Sequence, residues 1–533
     1  MQQEQLPFKD TGYFSSLICD YLDQNSDLSP FYNRFPLLEH FKSQIEEKEG
    51  AFPMQSRTVL ADALKHQYQT INASKVTLQN IEAITSKNTF TITTGHQLNL
   101  FTGPLYFLYK IVSAINLSNE LKEKYPKYNF VPVYWMATED HDFDEINYFN
   151  FKGKKFQWNK MASGAVGELS TDGLDKVLQL FSQDLGESAN AKMLKKLFEA
   201  AYVKHKNLAD ATRFLANELF KDYGLVIVDA NNADLKRLFA PYIEKELTEQ
   251  TSFKVVTKTN EALVNVSSDY NIQVNPREIN LFYLSENLRE RIVFEDDVYK
   301  VLNTDIFWSK SEILQHLNEV PERFSPNVIM RPLYQEVILP NLCYIGGGGE
   351  LAYWMQLKSY FKAVEIPFPV LLLRNSVLIK TEKQGEKLKK LNISNQDVFL
   401  KKDAFINRKV RQISNIDINF SEQKTALLEQ FEDLYTLAEQ TDKSFIGAVK
   451  AQEVKQLKGL KTLEKRLLKA QKRKLSDEVS RMTDIQNELF PNGSLQERST
   501  NFSEFYLEYG DCLIPQLIES LQPLKGEFTI LTF

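Results

Sequence analysis

The chain has 533 residues, of which 43% are hydrophobic and 25% charged, and carries a formal net charge of −6. That length exceeds what one hydrophobic core fills, so a large main domain with insertions or a second domain is expected. The composition leaves little room for long disordered stretches, and the mild acidity gives no reason to expect nucleic acid or an anionic membrane as a partner.

Only three cysteines occur, Cys19, Cys343 and Cys512, without Cys-x-x-Cys spacing. This argues against a disulfide framework or a thiolate zinc site and fits a reducing cytoplasm. The first residues lack a basic stretch followed by an apolar run, and no apolar run reaches the roughly 18 residues that a membrane helix needs. The expectation is a cytoplasmic protein that acts on small molecules.

Residues 1–88 read as helices, with apolar spacing in Tyr13, Phe14, Leu17, Ile18, Tyr21 and Leu22 and again over 60–71. At 89–93 the chain turns short and β-branched, followed by a glycine turn and a helix from near Pro104 past Ile115. A second buried strand over 130–136 ends in a dense polar cluster. Further apolar runs follow at 225–228, 342–345 and 370–373, with helices over 234–247 and 351–361 between them. Short apolar strands alternating with helices predict an α/β fold with a parallel, doubly wound sheet. Residues 151–205 and 265–325 interrupt the alternation and read as insertions, so the main domain is expected over 1–378.

Over 379–500 the chain is lysine-rich and helical. Leu468, Leu475, Met482 and Leu489 recur every seven residues, after Leu457, Leu460, Leu463 and Leu467. That spacing predicts coiled-coil packing, the alternative being an amphipathic helix lying on its own domain. Pro491, Asn492 and Gly493 end the helix, and the aromatic tail over 501–533 is expected to fold back onto the main domain.

Three segments could carry chemistry. Thr94, Gly95, His96, Gln97, Leu98 and Asn99 follow the first strand and lead through Phe101, Thr102, Gly103 and Pro104 into a helix, where an anion could meet unpaired N–H groups. His96 could donate a hydrogen bond or shuttle a proton there, or simply satisfy a backbone group. Glu139, Asp140, His141, Asp142, Asp144 and Glu145 crowd five carboxylates and an imidazole after the second strand, which calls for a substrate amine, an arginine or Mg2+ to relieve the repulsion. Arg331 and the run from Cys343 through Gly346, Gly347, Gly348 and Gly349 to Tyr353 and Trp354 form the third. The glycines suit close approach to a phosphate or adenosine, or a simple turn, and Arg331 and Arg374 could each grip an anion or anchor a core carboxylate.

Together with Leu105, Tyr106, Pro332 and the string from Leu489 to Arg498, these motifs resemble, in order and spacing over essentially the whole chain, the cysteine-adding enzyme family of bacillithiol biosynthesis (the BshC family). The resemblance implies a Rossmann-like core akin to class I synthetases and nucleotidyltransferases, two connecting-peptide insertions, and a helical coiled coil that supports a homodimer. It implies a ligase that adds L-cysteine to the amine of glucosaminyl malate, forming a carbon–nitrogen bond in the last step to bacillithiol. Activation of the cysteine carboxylate makes ATP, with Mg2+, the expected energy donor, and no other metal is expected. In that frame the candidate catalytic residues are His96, Asp140 and Asp142. Gln97, Asn99, Tyr106, Glu139, His141, Arg331, Tyr353, Trp354 and Arg374 are candidates for substrate binding, and Gly95, Gly346, Gly347, Gly348 and Gly349 for nucleotide binding. Family members often show Gln where this chain has His96, so an imidazole is not obligatory there. Another amino-acid-activating or nucleotidyl-transferring enzyme, or a non-catalytic dimeric ligand-binding protein, is the competing expectation.

Overall fold

The computed structural model describes residues 2–441 and 443–533. Its centre is a sheet of five strands, β1 (Thr89–His96), β2 (Asn129–Met136), β3 (Val226–Asp229), β4 (Asn341–Gly346) and β5 (Val370–Leu373). All neighbours pair in parallel, in the order β5-β4-β1-β2-β3. The expected parallel, doubly wound sheet is therefore present. Every residue of β1 is buried, as a strand covered on both faces requires, which is why it reads as an unbroken run rather than an alternation. Strand order reverses between β1 and β4, and a crevice opens beyond the carboxyl ends at such a point.

Helix α1 (Tyr106–Lys124) returns the chain from β1 to β2 and is buried almost all round from Phe107 to Ser118. One side lies on the sheet. On the other, Asn116 donates from Nδ2 to the carbonyls of Ile518 and Leu521, so the C-terminal tail roofs the helix. Helices α2 (Leu208–Phe220) and α3 (Ala233–Glu249) flank β3, and α4 (Arg331–Ile338) and α5 (Gly348–Met355) flank β4. A glycine ends β4 because a Cβ on Gly346 would lie 2.9 Å from Glu350 Cβ and Leu351 Cδ1.

Between β2 and β3 stand a hairpin, Tyr148–Phe151 with Lys154–Gln157, and helices Leu174–Leu185 and Ala189–Phe198. Between α3 and β4, five antiparallel strands lie in the order Phe307–Trp308, Val298–Val301, Leu288–Glu295, Leu281–Ser285 and Phe324–Pro326.

Helices α6 (Lys402–Ile413), α7 (Ser421–Glu439), α8 (Lys443–Lys474) and α9 (Ser476–Leu489) follow. Tyr435 bonds Glu453 and Lys424 bonds Glu464, so α7 and α8 run antiparallel. Leu468, Met482 and Leu489 are buried in the chain's main core cluster with Phe405, Ile406 and Val410 of α6. Those heptad positions therefore pack within the chain, while Leu437, Val454 and Leu463 stay exposed. No described helix is long and apolar enough to cross a membrane.

Three local readings change. Residues 2–7 form a strand, Gln2–Pro7, antiparallel to Glu527–Thr532, which in turn lies parallel to Val377–Lys380. Its partner is more than 500 residues away in sequence, so no local pattern announces it. Thr94, Gly95 and His96 belong to β1 rather than to a loop. The apolar stretch over 351–361 is divided between α5 and the helix Lys358–Ala363.

The junction between sheet and helical region is fastened by Arg374, whose guanidinium meets both carboxylate oxygens of Glu497 at 2.7 and 3.0 Å. Both side chains are almost wholly buried. Glu497→Ala leaves that guanidinium without its counter-charge. The expected outcome is a loss of about 3–5 kcal/mol, measured by urea unfolding, and a loss under 1 kcal/mol would count against the junction's role.

Candidate active site at the strand ends

His96 closes β1 with its ring between Tyr106 and Phe107, at centroid distances of 5.2 and 5.1 Å. Its Nδ1 lies 2.8 Å from the Gln97 carbonyl, which can only accept, so Nδ1 carries the proton and Nε2 is a bare acceptor. Nε2 is buried and has no partner. Burial, then the nearby Lys110 ammonium, hold the imidazole down at about 3, and the ring is neutral at physiological pH. Three residues on, Asn99 donates to the Glu145 carbonyl while its Oδ1 is buried without a partner. Two unpaired acceptors on one segment suit a ligand that brings N–H or O–H groups.

Lys110, on the second turn of α1, reaches back under the strand end. Its ammonium is 2.6 Å from the Gly95 carbonyl and 2.6 Å from Glu350 Oε2. Glu350 also accepts from the Gly347 N–H at 2.8 Å and the Tyr344 hydroxyl at 2.7 Å. Burial alone would raise this carboxyl, but Lys110 and those two donors hold it below the usual carboxylate value. The glycine turn after β4 is thus closed by a carboxylate of its own helix. Gly348 faces Ile18 and Gly349 faces Gln273.

Arg331, at the start of α4, stands across the crevice. Its guanidinium donates to Gln335 Oε1 at 3.2 Å and to the Tyr353 hydroxyl at 3.4 Å, between the rings of Trp135 and Tyr344. Among the described residues no carboxylate lies within ion-pair distance of it. Arg374, by contrast, is neutralised by Glu497, although its guanidinium carbon lies 5.0 Å from the Tyr106 ring centre. The structure brings Gly95, His96, Tyr106, Arg331 and Tyr353 together at this crevice. Trp354 is not among them: it is fully buried and stacks on Tyr344 inside the core.

The acidic loop after β2 is the neighbouring wall. Gln97 joins the two, donating to Asp140 Oδ2 and Glu145 Oε2, each at 2.9 Å. Much of the crowded charge is met by the chain itself. Glu139 pairs with the buried Lys236 of α3, and Arg289, from the antiparallel insertion, donates to His141 Nδ1 at 2.7 Å. An arginine can only donate, so that nitrogen is an acceptor. Asp142 remains exposed, its carboxyl raised by partial burial and by the nearby Asp140 charge. Asp140, His141 and Asp142 present ligand atoms within 4.8 Å of one another, and the Arg289 guanidinium occupies the His141 Nδ1.

A sequence profile for the Rossmann-like N-terminal domain of bacillithiol biosynthesis BshC matches residues 1–375, and one for the C-terminal coiled-coil domain of the same family matches 377–533. The chain belongs to the BshC family. Its relatives from Flavobacterium johnsoniae and Christiangramia forsetii are 62% and 60% identical over 532 residues, covering 100% and 98% of those proteins and 100% and 99% of this chain. A Bacillus cereus relative is 26% identical and covers 94% of this chain and 95% of its own length. Each bears a name that proposes a cysteine ligase. A solved Mycobacterium tuberculosis methionyl-tRNA synthetase, in complex with methionyl-adenylate, covers 80% of this chain and 91% of its own, at 9% identity and a TM-score of 0.20. Likeness at that level bears on neither fold nor chemistry.

Within this BshC-family site, sequence reasoning missed Lys110, Lys236 and Arg289 and left Glu350 and Tyr344 without roles. Lys110 carried a usable signal, a lone lysine among apolar helix positions. Lys236 and Arg289 come from elements distant in sequence and carried none.

The neutral His96 has a thermodynamic consequence. Folded, its imidazole resists a proton down to about 3; unfolded, it accepts one near 6.5. The stability it confers is complete above pH 6.5 and drains as pH falls toward 3, at a slope approaching 1.4 kcal/mol per unit. Urea unfolding of the chain and of His96→Gln is expected to show that extra acid sensitivity in the former alone. Parallel pH dependence in both would mean that the ring is not shielded.

Proposed function

We propose that this chain joins the carboxyl group of L-cysteine to the glucosamine amine of glucosaminyl malate, in the cytoplasm, as the last step to bacillithiol. The observation that carries this reading is the Arg331 guanidinium, with no carboxylate within ion-pair distance among the described residues, together with the bare acceptors His96 Nε2 and Asn99 Oδ1 on the segment that ends β1, in a chain of the BshC family. Such a site asks for an anion and for hydrogen-bond donors together. Glucosaminyl malate offers both, carboxylates for Arg331 and an amine and hydroxyls for the acceptors and for Asp140 and Asp142.

An amine attacks only when neutral, and a carboxyl group yields amide only when its oxygen becomes a leaving group. Tyr106, Tyr353, Gln97 and Asn99 orient the reactants, the exposed Asp142 is the acceptor for the proton that the amine sheds, the neutral His96 serves only as a hydrogen-bond acceptor, and no protein nucleophile is required. His141 and Glu139, fixed by Arg289 and Lys236, shape the wall behind the sugar. The leaving group calls for an energy donor, and ATP with Mg2+ is the class tested first. The Gly346–Gly349 turn does not fit its phosphates, because Glu350 already caps the Gly347 N–H and sets a negative charge there. No step is derived through the nucleotide.

Purified protein with cysteine, glucosaminyl malate and Mg-ATP is expected to yield bacillithiol. Arg331→Met is expected to raise KM for glucosaminyl malate about 10- to 100-fold, the loss of a charge-assisted pair. Absence of product with every nucleoside triphosphate, together with an unchanged cellular thiol profile on gene deletion, would refute the ligase.

Two copies associate as a homodimer through exposed apolar side chains of α7 and α8, Leu437 and Val454 among them. Light scattering is expected to give twice the chain mass, and a Leu437→Glu, Val454→Glu double variant a single chain. A monomeric parent protein would refute the assignment.

A further inference from the structure

The segment between His96 and α1 adopts a backbone that its residues do not favour. Phe101 has φ 48° and ψ 47°, Thr102 has φ 68°, and Gly103 has φ 62° with ψ −132°. Two successive residues bearing a Cβ thus lie in the left-handed region, which sterics penalise and surrounding structure must enforce. Both are buried. Gly103 is obligatory, since a Cβ there would lie 2.6 Å from Asn99 Cβ.

Tyr202 of the insertion after β2 accepts from the Phe101 N–H at 2.8 Å, and the rest of what enforces the turn comes from the far end of the chain. Asn501, wholly buried, donates from Nδ2 to the Phe101 carbonyl at 2.7 Å and to the Gly103 carbonyl at 2.6 Å. The Leu105 N–H reaches the Thr500 carbonyl at 2.9 Å, and the Phe101 ring packs 5.0 Å from Phe502. On its opposite side the same segment presents Gln97 to Asp140 and Asn99 to the Glu145 carbonyl, and it launches α1 with Tyr106 and Lys110.

We propose that Asn501 is a positioning residue for the reaction at the strand ends, an inference that rests on the ligase reading. Its amide, delivered by the segment returning from the helical region, holds residues 97–105 in the one backbone form that sets Gln97, Asn99 and Tyr106 at the crevice. Asn501 touches no reactant. Its oxygen has a separate duty, accepting from the Ser503 N–H to cap the helix Phe502–Tyr509.

The two duties can be separated. Asn501→Ser keeps a capping oxygen but is too short to reach both carbonyls. In the full chain it is expected to lower kcat at least about tenfold with KM for cysteine changed less than about threefold. Hydrogen exchange over residues 97–105 is expected to quicken about tenfold or more, with exchange in β4 unchanged. Unaltered exchange over 97–105 overturns the proposal, as does a loosened segment with undiminished kcat, or faster exchange throughout both regions. Should the serine variant not fold, Asn501→Asp, which keeps shape and cap but loses the donors, is held to the same criteria. If the parent protein shows no ligation, the ligase reading fails on its own, and the exchange comparison still decides whether Asn501 holds the segment.

Discussion

A single buried ammonium organises the centre of this molecule. Lys110 divides its hydrogen bonds between the Gly95 carbonyl at the end of β1 and the Glu350 carboxylate at the start of α5. These two elements flank the point where strand order reverses, so the ion pair ties the end of β1 to the start of α5 there. An unpaired lysine at this depth would be costly, and the Glu350 carboxylate, itself favoured in the first turn of α5, answers it. Glu350 then passes the constraint on through the Gly347 N–H and the Tyr344 hydroxyl.

The remaining charges follow a pattern of settlement with one omission. Lys236 answers Glu139, Arg374 answers Glu497, Lys48 answers Glu336, and Arg289 leans on His141 among the acidic residues. Arg331 is held by neutral groups, two aromatic faces, an amide and a phenol, and unlike Arg289 it does not stand among the carboxylates of the acidic loop. Burial works against its charge, and its neighbours, the Glu350 carboxylate among them, more than offset that. An uncompensated guanidinium with preorganised neutral neighbours is how a protein keeps room for an anion it does not itself supply.

Much of the sheet was legible because parallel strands covered on both faces must be short and apolar, and four of the five announced themselves within a residue at each end, while β1 runs three residues past its expected end. The candidate site was legible where chemistry and turn coincide in sequence: the His96 and Asp140 segments do lie side by side, bridged by Gln97. Three things were not. The glycine run looked like an open anion cradle, yet a carboxylate three residues on closes it, and only geometry shows which way Glu350 points. Arg374 and Arg331 looked alike, and a partner 123 residues away separates them. Trp354 shared a motif with Tyr353 but sits on the inward face of α5, one residue round the helix.

The helical region can be long without loosening this centre. Its two ends are fastened to each other: Gln496 bonds both the N–H and the carbonyl of Ile379, and Glu497 meets the Val377 N–H as well as Arg374. An excursion of more than a hundred residues therefore begins and ends at one buried knot. Because the entropy of closing a loop rises only slowly with its length, extending α7 and α8 outward adds little strain at that base. The segment leaving the knot runs directly to Thr500 and Asn501, behind the backbone that carries Gln97 and Asn99. Displacement of the helices that disturbs residues 496–501 is thus transmitted to the strand ends along this segment, whose hydrogen bonds are buried.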